Sequence, residues 1–310
     1  MRKIFICICL FTSSLFAGKY WNADPGSVTM KFLASEVSPR SASLAGAGVA
    51  MSGSLLDASR NPLALASLQN PSVGVSQVIY SKAIDARLNS ILWGNPFQSF
   101  NMLAGLEFLN YGDIEGRDEE GFKTGNYGAS AWGAQLAFSN KKEAFHWALS
   151  YKLASQNIED YTAYAFLGDF GLSLDLNSYF SLGSLIRNLG YVTSYRSHSE
   201  ALPLSLQAGL AFHMPIGSIF ELKLYSDLYR RADSKAEVFF ASELIYKNTL
   251  SLRGGYALKK DTENGINAGL GLQFDVFSID YAFQANPNLD GNHLLSIILS
   301  FQSIMFTFIV

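Results

Sequence analysis

The sequence has little cysteine, little proline and little charge. Only 2 of its 310 residues are cysteine and 8 are proline, and both cysteines lie within the first 18 residues. Charged residues make up 16% of the chain and hydrophobic residues 49%, a balance that excludes a disordered chain. The four histidines show no ligand spacing, so neither a thiolate nor a histidine metal site is expected.

Long apolar runs are also missing from the interior of the chain, so no membrane-spanning helix is predicted there. Residues 1–18 match a cleaved secretory signal peptide: Arg2 and Lys3 precede an apolar stretch that ends at the small residues Ala17 and Gly18. A short membrane anchor is the alternative, although the stretch is too short to span a bilayer comfortably. The signal peptide predicts export, and its cleavage removes both cysteines. The exact cleavage site stays open.

The C-terminal residues 294–310 are uncharged and long enough for an anchor helix. Their β-branched and aromatic side chains and their serines favour a strand instead. The role and placement of residues 302–310 stay open at this point.

Between residues 72 and 301 the chain divides into segments of about ten residues with alternating apolar and polar side chains. In 219–228, for example, Leu222 and Leu224 share one face and Lys223 lies on the other. Clusters of Gly, Asn, Asp, Ser or Pro separate the segments. This pattern is typical of strands with one apolar face.

About fourteen such segments occur, mostly nine to thirteen residues long. Strands of soluble proteins are usually five or six residues long, whereas a tilted transmembrane strand needs about nine to eleven. Lipid cannot hydrogen-bond a free sheet edge, so a spanning sheet must close on itself. The sequence therefore predicts an all-β fold at residues 71–310: a transmembrane antiparallel β-barrel of about fourteen strands. A soluble secreted β-protein is the alternative.

Aromatic residues and connections fit the same fold. Tyrosines near strand ends, among them Tyr225 and Tyr281, are expected in girdles at the membrane interfaces. Residues 112–126, with five acidic side chains, are expected to form an outer loop, and 189–202 a second one. An acidic loop of this kind suits calcium, but most such runs are simply solvated, so no metal site is predicted.

Residues 19–70 precede the first strand and lack its alternation. Residues 41–54 are rich in small side chains, and helical spacing follows until Asn61-Pro62 interrupts it. A compact segment of this kind suits a plug or hatch inside the barrel lumen. An ordinary periplasmic extension is the alternative.

Parity of alternation places a set of charged side chains on the luminal face. Pairing across strands, which stiffens the barrel and docks the plug, is the favoured interpretation, and a polar permeation path is the alternative. The set comprises Lys152, Asp169, Arg187, Glu221, Lys223, Asp227, Glu243, Arg253 and Asp280.

Several common motifs of catalytic sites are absent from the sequence. The chain has no Walker loop, no dinucleotide-binding glycine pattern after a strand and no G-x-S-x-G elbow. It is therefore expected to be non-enzymatic, with no catalytic residue, no metal and no cofactor. Its net charge of −3 gives no footprint of nucleic-acid binding.

The plug-like segment carries an ordered motif. Pro39-Arg40 leads into an Ala-Gly-Ala-Gly-Val-Ala stretch with glycines at Gly46 and Gly48, and Asn61-Pro62 follows at a distance of twelve residues from its valine. Further motifs follow in order along the chain: Tyr111-Gly112-Asp113, Thr124-Gly125, Tyr127–Ser130, Ile186–Gly190, Leu202–Leu204 and Asp280-Tyr281-Ala282.

By these motifs the chain resembles the PorV/PorQ family of outer-membrane proteins, relatives of the FadL long-chain fatty-acid channels. The resemblance marks Arg40, Gly46, Gly48, Asn61 and Pro62 as plug residues and covers nearly the whole mature chain. Gly53-Ser54 replaces the acidic pair of the family motif, and Leu63 replaces the alanine after its Asn-Pro.

The resemblance implies a monomeric fourteen-strand barrel in the cell outer membrane and one of two roles. PorV-like members recognise C-terminal signal domains of type IX secretion substrates and pass them to a cell-surface attachment complex. FadL-like relatives carry hydrophobic molecules such as long-chain fatty acids through a hatch-gated lumen. The first role is expected here, with secreted proteins, other secretion components and outer-membrane lipid as partners; the cargo and the state of the lumen stay open.

Overall fold

The computed structural model describes residues 26–81, 85–194, 201–259, 265–286 and 289–301. No helix among these residues is long and apolar enough to cross a membrane. Four expectations lie wholly or partly outside the described residues: the signal peptide at 1–18, the start of the plug at 19–25, the middle of the 189–202 connection and the tail at 302–310.

The described residues form fourteen strands that close into one antiparallel barrel, with β1 paired to β14. The predicted fold class is confirmed. The strands are β1 (Ser72–Ile79), β2 (Arg87–Pro96), β3 (Asn101–Arg117), β4 (Lys123–Lys142), β5 (Phe145–Ile158), β6 (Tyr161–Asp175), β7 (Phe180–Val192), β8 (Ser205–Ile216), β9 (Phe220–Arg231), β10 (Glu237–Tyr246), β11 (Leu250–Leu258), β12 (Gly265–Gln273), β13 (Phe277–Asn286) and β14 (Leu289–Ser300).

Each strand points alternate side chains to the two faces of the barrel wall. In β12, Ile266, Leu270 and Leu272 are exposed on the outside, whereas Asn267 and Gly269 face the lumen. Because the sheet closes, its outer face presents an apolar surface with no free edge running the length of the wall. That surface is suited to the hydrocarbon of a membrane.

The two ends of the barrel differ. At one end, here called the turn end, six connections have two to four residues, and Ser72 and Ser300 lie there. The opposite end, the loop end, has connections of up to twelve residues. Residues 112–126 lie at the loop end but are mostly paired in β3 and β4, so the predicted loop is instead a hairpin with a turn at 118–122.

A plug runs through the lumen from the loop end to the turn end. Near the loop end Val28 bridges Ala201, and near the turn end Asn101 Nδ2 donates a hydrogen bond to the carbonyl oxygen of Leu65. The plug, residues 26–71, contains helix α1 (Pro39–Ser43) and three 3-10 helices, Lys31–Ala34, Asp57–Ser59 and Pro62–Ser67. This segment is described inside the barrel and not as an extension outside it.

Two of the plug helices begin with the same local chemistry. The Ser38 hydroxyl accepts from the N–H of Ser41 and Pro39 is the first helical residue; Asn61 Oδ1 accepts from the N–H of Leu63. Pro62 begins the second helix. The polar cap accepts a hydrogen bond from one free N–H of the first turn, and proline has no N–H that would need an acceptor there. The Asn61-Pro62 motif therefore starts a helix where the sequence predicts only a break.

The apolar core is the interface between plug and wall. Four luminal clusters hold it together, each with side chains from the plug and from the wall. The plug supplies Met30, Phe32, Leu33 and Val37 near the loop end, Leu44, Ala47 and Met51 against β9 and β10, and Leu55, Leu56 and Leu65 near the turn end.

Inward-facing glycines let the plug backbone touch the wall. A Cβ at Gly255 would lie 2.4 Å from the carbonyl carbon of Leu44, and a Cβ at Gly183 would lie 2.8 Å from the nitrogen of Ala50. Both neighbours are main-chain atoms that cannot rotate aside. Glycine at these two positions is therefore a condition of plug docking.

We expect Leu270→Arg to lower the free energy of unfolding by about 2–4 kcal/mol, because it places a charge in mid-strand on the lipid face. Leu258→Arg, at the loop end of β11, is the matched control and should cost about 0–1 kcal/mol. Denaturant unfolding in lipid vesicles measures both. Equal costs for the two variants would contradict the transmembrane placement of β12.

Candidate functional site

Five charged residues, Arg40 among them, join the plug to the wall. Arg40 Nε and Nη2 donate to Oε1 and Oε2 of Glu243 at 3.1 and 2.7 Å, and Arg40 Nη1 lies 2.9 Å from Oδ2 of Asp57. Arg253 lies 2.6 Å from Glu243 and 2.5 Å from Asp280. Two cations and three carboxylates thus alternate in one network that links the plug to β10, β11 and β13.

Burial makes this network depend on its own pairing. Glu243 is 1% exposed and Arg40 is 7% exposed. Desolvation alone would lower the pKa of Arg40, but the carboxylates of Glu243 and Asp57 outweigh it and hold that pKa well above its ordinary value. The guanidinium therefore stays charged, and separating it from both carboxylates would leave buried charge without compensation.

The hydroxyl of Tyr225 belongs to the same network and not to an aromatic girdle. It lies 3.3 Å from Oε2 of Glu243 and is buried in the lumen. Tyr225 alternates with the lipid-facing Leu224, so the parity of the strand excludes an interfacial position. The girdle prediction is wrong for Tyr225, whereas Tyr281 faces outward.

A second anchor consists of backbone N–H groups of the plug. Gly46 and Gly48 have φ of 79° and 104°, which side chains with a Cβ rarely adopt. The turn directs the N–H groups of Gly48 and Val49 at Oδ2 of Asp227, both at 2.8 Å. Gln207 Nε2 donates to the same oxygen at 2.7 Å and to the carbonyl of Gly46 at 2.8 Å. The glycine motif is therefore a carboxylate-binding turn.

A third anchor is the ion pair of Arg60 with Glu107 of β3. It is bidentate, with Nη1 2.7 Å from Oε1 and Nη2 2.8 Å from Oε2. Arg60 also donates to the carbonyls of Ser35 and Phe32, at 2.6 and 3.2 Å. Burial would lower the pKa of Arg60, but Glu107 raises it above the ordinary value. One guanidinium thus ties two parts of the plug to the wall.

A β-bulge in β7 turns two successive side chains into the lumen. β7 has one extra residue opposite β6 between Gly168 and Phe170, and Asn188 there has φ of 59°. Arg187 and Asn188 are both buried as a result. The Ile186–Gly190 motif is therefore the bulge itself.

The bulge completes a polar cluster within the wall. Lys152 Nζ lies 2.6 Å from Oδ2 of Asp169, whose Oδ1 accepts from the N–H of Asn188 at 2.8 Å. The Ser150 hydroxyl donates to Asp169 at 2.7 Å. These contacts join β5, β6 and β7 without the plug. Lys152 and Asp169 therefore stiffen the barrel rather than line an open path.

Arg187 lies on the other side of the bulge and faces the plug. Its Nε donates to the hydroxyl of Ser205 at 3.3 Å, and its guanidinium carbon lies 5.6 Å from the ring centroid of Tyr229. Its Nη1 is 4.0 Å from Oε1 of Glu36. Arg187 and Tyr229 also line a cavity of about 530 Å³ on the loop side of the plug.

Glu221 and Lys223 lie on the opposite side, where they line two cavities of about 290 and 350 Å³. Oε1 of Glu221 is 2.8 Å from Nε2 of His213 and 3.0 Å from Nζ of Lys223. The plug residues Ala50 and Met51 line the smaller of these cavities. The plug therefore lies between the cavities at the two ends of the barrel.

The luminal charges expected from parity all face the plug, a cavity or a luminal partner, as the contacts above show. The sequence reasoning missed Asp57, Arg60 and Glu107. A signal existed for two of them: Glu107 alternates with the lipid-facing Leu106, and Arg60 is the sole basic residue of 55–70. Nothing in the sequence marks Asp57, which stands three residues beyond the position of the missing acidic pair.

Metal binding gains no support from the described part of the chain. No group of three or more His, Cys, Asp or Glu side chains among these residues is placed to hold a metal ion. The polar clusters instead pair carboxylates with guanidinium, ammonium and N–H groups. These clusters are ion pairs and hydrogen bonds that hold the plug and the strands in place.

No protein-family profile matches the chain, and no curated protein matches it in sequence. Solved structures do match. The toluene transporter TodX of Pseudomonas putida superposes with a TM-score of 0.60 at 13% identity, over 86% of this chain and 98% of TodX. The monoaromatic hydrocarbon channel CymD gives 0.61 and 12%, over 86% and 98%. A FadL homologue of Pseudomonas aeruginosa gives 0.54 and 11%, over 86% and 98%.

At these identities the likeness establishes the fold. The chain is a closed antiparallel fourteen-strand barrel whose fold is similar to that of TodX, CymD and the FadL homologue. The more specific resemblance to PorV/PorQ proteins has no further sequence support and stays a prediction.

We expect Arg60→Ala to loosen the plug by about 3–5 kcal/mol, because Glu107 is left buried and unpaired. Hydrogen exchange of the amides in 31–35 and 57–61, measured by mass spectrometry, should accelerate accordingly. The double variant Arg60→Met/Glu107→Met removes both charges at similar volume and should recover most of the protection. Equal exchange in the single and double variants would contradict the assignment of this pair as an anchor.

Proposed function

We propose that the protein is an outer-membrane channel for hydrophobic molecules and that the plug must shift for passage. One observation carries the proposal. The lumen is occupied by a segment that hydrogen-bonds to the wall chiefly through side chains and turns, while none of its helices is part of the sheet. A segment of this kind can move while the fourteen-strand ladder stays intact.

The placement in the membrane follows from the wall. Short turns at one end and longer connections at the other are typical of bacterial outer-membrane barrels, whose turns face the periplasm. The turn end is then periplasmic and the loop end faces the outside. On this assignment the 530 Å³ cavity opens toward the exterior and the two smaller cavities toward the periplasm.

The substrate class is taken from the structures with the same fold. TodX is described as a toluene transporter and CymD as a monoaromatic hydrocarbon channel. Each of the two structures superposes on 86% of this chain. Aromatic hydrocarbons and long-chain fatty acids are therefore the first molecules to test. The expected absence of enzymatic activity accords with these neighbours, which are described as a transporter and a channel.

A cell-based uptake assay tests the proposal. Cells that lack their own fatty-acid channel, with and without this protein, are supplied with radiolabelled oleate and toluene. Uptake of at least one compound should rise above the vector control. Gly255→Val should raise it further, because its side chain collides with the plug backbone, whereas Gly254→Val, whose Cβ meets nothing within 4 Å, should not. Uptake equal to the vector for both compounds would refute the proposal.

A second candidate function is the accessory role in type IX secretion implied by the PorV/PorQ resemblance. One observation favours it: two of the resembling motifs meet in the structure, where Asn188 Nδ2 donates to the carbonyl of Pro203 at 3.1 Å. Motifs 15 residues apart thus form one local structure beside the plug. The FadL-like fold is compatible with this role as well as with transport.

Deleting the gene and comparing the cell-surface proteomes tests this second function. Proteins with C-terminal signal domains should disappear from the surface of the deletion strain and return on complementation. An unchanged surface proteome would count decisively against the secretion role and leave the transport proposal untouched, so the two functions are separable.

A further inference from the structure

Strands β3 and β4 continue beyond the rest of the wall at the loop end. Pairing of β3 with β2 ends at Asn110, and pairing of β4 with β5 ends at Ala129. Beyond these points the two strands pair with each other, through Arg117 and Lys123, and the carbonyl of Gly128 at the base still accepts from the N–H of Glu159 at 3.2 Å. This two-stranded β3–β4 ribbon, residues 111–128, projects from the barrel by roughly 20 Å at about 3.3 Å per residue.

One edge of the ribbon is open to another backbone. The edge of β4 from Lys123 to Tyr127 has no neighbouring strand among the described residues. A Cβ at Gly125 would meet nothing within 4 Å. A glycine on an unpaired strand leaves room for the close approach of an extended chain.

The charge of the ribbon is negative. It contains five acidic and two basic residues. Both basic side chains pair with Glu115, and Asp118 is engaged in the turn, where its carboxylate accepts from the N–H of Phe122. Glu119 and Glu120 are exposed and pair with none of the described residues, and the ring of Phe122 is 72% exposed beside them.

Together these features define the chemistry of a partner. Negative charge disfavours lipid phosphates and nucleic acid, and no cluster of metal-ligating side chains is formed in the described residues. An acidic edge also repels the same edge of another copy, which protects the ribbon from self-association while it still admits a basic strand.

We propose that the β3–β4 ribbon is a docking arm outside the cell for an extended, lysine- or arginine-rich segment of another protein. The segment adds to the edge of β4 as a third strand, and Glu119 and Glu120 attract its basic side chains. Phe122 covers an apolar side chain of the bound segment. This interaction is independent of the passage through the lumen.

Peptide binding to the full-length protein in nanodiscs tests the proposal. The probe is an eight-residue peptide that alternates lysine with valine and threonine, and a second probe has the same lysines with prolines between them. Because proline cannot pair along a strand, the first probe should bind about tenfold more tightly than the second. Equal affinities would show charge attraction alone and overturn strand addition.

One variant and one control locate the contact. Glu119→Lys/Glu120→Lys should weaken binding about tenfold, because the two side chains that attract the basic segment then repel it. The variant leaves Asp118 and its turn in place, so the ribbon keeps its structure. Glu143→Lys/Asp275→Lys makes the same charge change at the turn end and should leave affinity within about twofold. Failure of the alternating probe to bind, or equal loss in the control, overturns the proposal.

Discussion

The buried ion pairs between the plug and the barrel wall are the interactions on which the position of the plug depends. A fourteen-strand barrel encloses more space than its own side chains fill, and the plug occupies that space with both apolar and charged groups. Charges enter such an interior only when they are paired and hydrogen-bonded. Here the plug supplies Arg40 and Arg60 and the wall supplies Glu243 and Glu107, so the pairing of these charges crosses from one part to the other.

Alternation was enough to predict the barrel because one face of every strand meets lipid. That constraint acts on each segment locally, and strands such as β12 carry it in their own sequence. The same alternation also predicts that Tyr225 faces the lumen, because its neighbour Leu224 faces outward. The hairpin at 112–126 was missed because glycines and acidic residues there signal a loop, while the pairing of β3 with β4 continues in spite of them.

The anchors of the plug were beyond the reach of sequence patterns for a different reason. Arg40 and Glu243 are 203 positions apart, and the N–H groups of Gly48 and Val49 meet Asp227 across about 180 positions. Nothing local distinguishes a carboxylate that binds a plug from one that pairs with the adjacent strand, as Asp169 does with Lys152. The motif resemblance marked Arg40 and the glycines as plug residues, and only the fold supplies their partners.

The anchors differ in what their separation would leave behind. If Arg40 leaves the wall together with Asp57, the plug keeps a neutral pair, and Glu243 keeps its contact with Arg253. If Arg60 leaves, Glu107 keeps no salt-bridge partner among the described residues, and the carbonyls of Ser35 and Phe32 lose the hydrogen bonds that Arg60 donates. A buried charge that is left unpaired costs on the order of 3–5 kcal/mol more than a network whose charges stay paired. Displacement at the Arg40 side is therefore the less costly movement. A plug that opens by the lower-cost route keeps Arg60 on β3 and releases its contacts with β10, next to the cavity that already lies beneath Arg40.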